Sequence, residues 1–124
     1  MMCNWQDKSD FEINKAVADL YLPCDYLFNY ESETVDLVSY QTYLGAHGIP
    51  CEITKKYGEF NPCNAANDAW SIILDSKISH DWNGSYWCVM SPLHGDRCSI
   101  ITDSDKCVLR AAMIVYLEMK GAQP

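Results

Sequence analysis

The segment that most restricts the fold is Leu109–Met119, LRAAMIVYLEM. At helical spacing Leu109, Ala112, Met113, Tyr116 and Leu117 make one stripe, and Ala111, Ile114 and Val115 add apolar surface on its flanks. A helix that is apolar on more than one side has to be covered on more than one side. Asp103 or Ser104 supplies its cap and Gly121 its end. The natural cover is a second apolar stretch, Phe60–Trp82, which reads as a loop, a capped helix and the opening strand of a hairpin. Together they supply most of the core that 124 residues can build.

The remaining elements follow in order. Ser9-Asp10-Phe11-Glu12 has the form of a capping box, and a first helix runs from Asp10 to about Leu20. Its buried stripe is Ile13, Ala16, Val17 and Leu20, with Asn14 and Lys15 facing elsewhere, and Pro23 forbids continuation. Aromatic and β-branched residues predict strands over Cys24–Phe28 and Thr34–Tyr40, joined by a turn at Asn29–Glu33. Gly45, Gly48, Pro50 and Gly58 punctuate residues 41–60, which read as a long functional or covering loop with a short strand near Cys51–Lys55. Asn64 caps the second helix, whose apolar face is Ala66, Ala69, Trp70, Ile73 and Leu74.

Asn83-Gly84 predicts a two-residue turn, which sets Trp82 opposite Ser85, His80 opposite Trp87 and Ile78 opposite Val89. One face of that hairpin is then Ile78, His80, Trp82, Trp87 and Val89. Arg97–Thr102 adds a third strand. The order is α-β-β-α-β-β-β-α. No strand–helix–strand rhythm supports a parallel sheet. The expectation is a single α+β domain over residues 1–124: one mainly antiparallel sheet of about five strands, packed by three helices as an alpha–beta–alpha sandwich.

Charge narrows the function. The net charge is −8, and residues 1–40 hold eight acids against Lys8 and Lys15. Direct binding of nucleic acid, which requires clustered Lys and Arg, is therefore not expected. The acidic stretch reads either as a face for a basic partner or as a solvated surface. No apolar run is long enough to span a membrane and no export signal is present, so cytoplasm is the expectation. Seven cysteines, odd in number and without a CxxC pair, read as reduced thiols.

There is no phosphate-cradling glycine loop, no GxSxG elbow and no HExxH. The pairs His47–Cys51 and His94–Cys98 have spacing that one zinc ion tolerates, but both sit in or beside loops. Neither a metal site nor a cofactor is expected. Trp70, Trp82 and Trp87 read as core aromatics, Trp70 on its helix and the other two on the packed face of the hairpin. Aromatics nevertheless exceed what the core needs. Tyr26, Tyr30, Tyr40, Tyr43 and Tyr86, with the acidic Asp25, Glu31 and Glu33, form the candidate binding set.

DFEIN (Asp10–Asn14), NPCNAANDAW (Asn61–Trp70) with IIL (Ile72–Leu74), IS (Ile78-Ser79) and LRAAMIVYLEM, in this order, resemble the phage and prophage family called NinX. Residues 24–60 depart from the family's pattern. The resemblance implies a phage alpha–beta–alpha sandwich, an accessory gene product acting in the bacterial host, and no particular reaction. Within the matching segments Asn14, Asp68, Trp70 and Arg110 stand out. Asp68 suits the positive end of its helix and Arg110 opposes the dipole of the last helix, so a structural ion pair between them is expected, with a ligand contact as the other reading. Three functions are weighed: a non-enzymatic binder of a host or phage protein, such as an inhibitor of a defence or nucleic-acid enzyme; a small-ligand binder of nucleotide type; and a small zinc-dependent enzyme. The first is preferred. Self-association is open to all three, because a small sheet leaves an edge.

Overall fold

The computed structural model describes residues 5–92, 98–102 and 104–124. Among these residues three α-helices, α1 (Asp10–Tyr21), α2 (Ala66–Ser76) and α3 (Val108–Met119), accompany six strands. These are β1 (Tyr26–Asn29), β2 (Thr34–Leu44), β3 (Pro50–Phe60), β4 (Ser79–Trp82), β5 (Trp87–Met90) and β6 (Cys98–Thr102). The α+β class is as expected, but the sheet is divided. One three-stranded antiparallel sheet has the order β1-β2-β3 and a second the order β4-β5-β6, which replaces the single sheet of about five strands.

The centre of the molecule is α3. Ala111 through Leu117 are all buried, seven residues in succession, so every side of that stretch is covered. α1, α2, β5 and β6 pack against it, and α1 in turn packs against β2. The continuous core runs from Phe11, Ile13 and Val17 on α1 through Ile72 and Ile73 on α2 to Val89 and Ile100 on the second sheet. Trp5 closes one end of this core, its indole N–H donating to the Ala122 carbonyl at 3.2 Å. Among the described residues, no helix is long and apolar enough to cross a membrane.

Local chemistry explains most of the element ends. The Ser9 hydroxyl accepts from the Glu12 amide at 3.2 Å and starts α1 as its sequence predicts. Ala65, not Asn64, precedes α2, because the Asn64 side chain is engaged elsewhere. At the far end of α2, Lys77 adopts a left-handed conformation, and the Ile78 amide reaches back to the Ile73 carbonyl at 3.1 Å. Asn29 accepts from the amides of Glu31 and Ser32 to shape the β1–β2 turn. Beside it Asp36 is buried, and the Thr34 hydroxyl, then the Lys56 ammonium, hold its carboxyl below the usual range.

Two expectations are corrected here. Residues 41–60 are not a loop: β2 and β3 are eleven residues each and form a long ribbon that turns at Ala46–Gly48, with a bulge beside Val38. The β4–β5 hairpin pairs Trp82 with Trp87 and His80 with Val89, so its loop is the four residues 83–86. Asn83 accepts from both the Ser85 and Tyr86 amides at 2.9 Å, which stabilises a wider loop than the two-residue turn. The register moves by two residues. An even shift returns each side chain to its own face, so His80, Trp82, Trp87 and Val89 remain together.

Candidate protein-binding surface

The residues in the segments resembling NinX converge on one polar cluster. Asn14 is buried on α1, contrary to its expected outward direction, because both ends of its amide are used. It donates to Asn61 Oδ1 at 2.8 Å and accepts from the Cys63 amide at 3.2 Å. Asn64 donates to Asp10 and to Asn61, each at 3.1 Å. The expected pair of Asp68 with Arg110 does not form. Asp68 instead accepts from the Asn61 amide at 2.8 Å, which fixes the entry to α2. Arg110 pairs with Asp10 at 2.6 Å and donates to the carbonyls of Gln6 and Lys8. The Asp10 carboxylate sits in the first turn of α1 and reaches the guanidinium across the helix packing, so it takes the place intended for Asp68. Burial pushes the Cys63 thiol up to about 12, and the Asp10 charge adds to the shift, so this thiol is inert. The cluster ties α1, the turn before α2 and α3 together, with its named polar groups bonded to one another.

The tryptophans reverse two expectations. Trp70 is 53% exposed and Trp82 is 49% exposed, so neither is a core residue, while Trp87 is half-buried. α2 buries Ala69, Ile72 and Ile73, an arc that turns Trp70 and the equally exposed Leu74 away from the core. These two rise beside β4 and, with Ile73, Lys77, Ile78, Ser79 and His80, line an open groove of about 680 Å³. Trp87 lies 6.0 Å from the His80 ring and 5.5 Å from the Trp82 ring, and so joins the groove to the exposed indole of Trp82. Among the described residues, Nδ1 of His80 is buried without a hydrogen-bond partner. The result is an apolar groove walled by Trp70, with the exposed Trp82 reached from it through His80 and Trp87, and exposed apolar surface of this kind marks interaction sites.

The candidate tyrosines and acids are dispersed. Tyr26 is half-buried, and burial, with its 2.7 Å bond to Asp19, pushes the phenol up to about 12. Tyr30 is exposed yet packs edge-on against Phe11, and the Lys15 ammonium stands 4.6 Å from its ring centre. Asp25, Glu31 and Glu33 are exposed around the ends of β1. Tyr40 and Tyr43 are exposed on opposite faces of the β2–β3 ribbon, and Tyr86 is exposed in the β4–β5 loop. Leu44, Ile49 and Ile53 of the ribbon are also exposed and were not anticipated.

Among the described residues no group of three His, Cys, Asp or Glu side chains is placed to hold a metal ion. His47 lies in the ribbon turn, and the Cys51 thiol donates to the Ile49 carbonyl at 3.6 Å. His94 and the Cys98 side chain lie outside the described residues. Cys24, Cys51, Cys63 and Cys107 are free thiols, whereas Cys88 is disulfide-bonded, which corrects the expectation at that position.

Two small sheets, one packed on the central helix α3 and the other on α1, with a polar cluster locking the helices, define a small α+β protein in which Trp70 and Trp82 face outward. The chain belongs to the phage family described as Bacteriophage P22, NinX, whose model matches residues 4–120. It is a phage accessory protein. No curated protein and no solved structure matches it.

Proposed function

We propose that this protein acts in the host cytoplasm without catalysis, by binding a host or phage protein through the surface of Trp70, Leu74, His80 and Trp82. The observation that carries this reading is the exposure of Trp70 in an apolar groove and of Trp82 beyond it, joined to the groove through Trp87 and His80. Trp is the residue most enriched among binding hot spots, and burying it on association contributes more than any other side chain on this surface. The net charge of −8 favours a partner with a basic face. A host defence or nucleic-acid enzyme, whose own substrate is anionic, has such a face.

Trp70→Ala and Trp82→Ala remove exposed rings, so each is expected to change folding stability by no more than about 1 kcal/mol. Each is expected to weaken capture of the partner at least about tenfold, corresponding to a loss of about 1.4 kcal/mol or more. Affinity purification of tagged wild-type and variant proteins from infected host cells reads this out. Identical sets and amounts of bound protein would overturn the assignment of the surface.

A second reading rests on the same groove. Trp70 flanks it with Lys77 and His80 alongside, an aromatic wall with basic groups beside it, which suits a small anionic aromatic ligand. Saturable thermal stabilisation of the purified protein by a nucleotide, lost in Trp70→Ala, would favour that reading over a protein partner.

A further inference from the structure

The ribbon leaves two sheet edges open, and they differ in kind. β1 covers β2 over Thr34–Leu37, and the Val38 amide extends that side by donating to the Asp25 carbonyl at 3.1 Å. Among the described residues, Ser39–Leu44 beyond this point is paired to β3 alone. Bonding direction alternates along an antiparallel strand, so the N–H and C=O groups of Tyr40, Thr42 and Leu44 point to the open side as those of Val38 do. The outer edge of β3 carries Pro50, Lys55, Lys56 and a bulge near Tyr57, features that discourage strand addition. Residues 37–46 contain neither a charged side chain nor a proline. One edge is guarded and the other is not.

We propose that the open edge of β2 pairs with the same edge of a second copy, antiparallel, about a two-fold axis at Thr42. Such an axis keeps opposed side chains on one face when the paired residue numbers sum to an even number. With Thr42 opposite its counterpart, Tyr40 meets Leu44 of the second copy and Gln41 meets Tyr43. The three outward-bonding residues then find one another in full, giving about six new backbone hydrogen bonds. Thr–Thr and aromatic–aliphatic neighbours are favourable cross-strand pairs.

Charge selects the second copy as the occupant. Two molecules of net charge −8 repel over most of their surface, but residues 37–46 carry no charged side chain, so the two facing strands meet with no like charges opposed. A two-stranded ribbon standing alone is marginal in water. Pairing makes it the middle of a four-stranded sheet, ordered β3-β2-β2-β3. The surface is separate from the indole groove, so its test and that of the proposed function succeed or fail independently.

The measurement is solution mass by light scattering and sedimentation equilibrium on the whole protein. The wild type is expected at twice 14.1 kDa. Thr42→Lys sets like charges against each other at the axis and is expected to raise the dimer dissociation constant by about tenfold or more. Thr54→Lys, at an exposed position on β3, is the control and leaves the dimer intact. Circular dichroism of both variants establishes that they are folded, and Gln41→Lys serves if Thr42→Lys is not. A monomeric wild type overturns the proposal, as does a dimer that Thr54→Lys abolishes and a folded Thr42→Lys preserves.

Discussion

Leu117→Ala is expected to lower the unfolding free energy by about 3–4 kcal/mol, the sum of lost transfer energy and an unfilled cavity. For a chain of this length that corresponds to a fall in Tm of roughly 10–15 °C. Leu117 has no exposed surface and stands on α3, which α1, α2 and the second sheet all contact. Collapse around the lost methyls would have to draw in several elements at once, so little relief is available. Leu74→Ala on α2, where half the side chain is already in water, is expected to cost less than about 1 kcal/mol. Thermal denaturation of the two variants side by side checks the difference. A loss below about 1 kcal/mol at Leu117 would remove α3 from the centre of the fold.

The second large effect lies in the polar cluster. Asn14→Leu conserves volume but leaves the buried Cys63 amide without its acceptor and removes the bond to Asn61. An orphaned buried donor retains its full desolvation penalty, so the expected cost is about 2–3 kcal/mol. Arg110→Met breaks an ion pair in which the Asp10 side chain is 43% exposed, so water replaces the guanidinium and the expected cost is about 1 kcal/mol or less. Urea unfolding of both variants gives the order. If Arg110→Met proves the more damaging, the cluster is held by charge and not by the amide of Asn14.

The parts of this fold legible in the sequence are those set by neighbours along the chain. Ser9 announced α1, the apolar flanks of Leu109–Met119 announced a helix covered all round, and Asn83 announced a hairpin. The family resemblance, drawn from segments at the start, in the middle and near the end of the chain, extends over residues 4–120. The ribbon was misread because glycine and proline were taken to punctuate a loop. Gly45, Gly48 and Pro50 gather at its turn and Gly58 lies beside its bulge, while the alternation Val38, Tyr40, Thr42, Leu44 already had the period of a strand. Division into two sheets left no such trace, because periodicity identifies a strand without naming its neighbour.

The binding surface was harder still. Trp70, Ile73 and Leu74 do share one side of α2, but an apolar arc this wide does not reveal where the buried sector is centred. The structure centres it on Ala69, Ile72 and Ile73 and leaves Trp70 outside. Arg110 likewise had several carboxylates within sequence reach, and its choice of Asp10 depends on how α1 crosses α3. Side chains brought together by packing have no local signature.

The unequal wrapping of the four tryptophans turns the molecule into its own optical gauge. Trp5 is sealed in the interior, whereas the rings at positions 70 and 82 face solvent. Light emitted from those two is red-shifted and open to quenching by iodide or acrylamide. Anything that settles over the groove will move that emission toward the blue and shield it from the quencher, so occupancy can be followed on the unlabelled chain. An interface confined to the ribbon will leave the same spectrum unmoved.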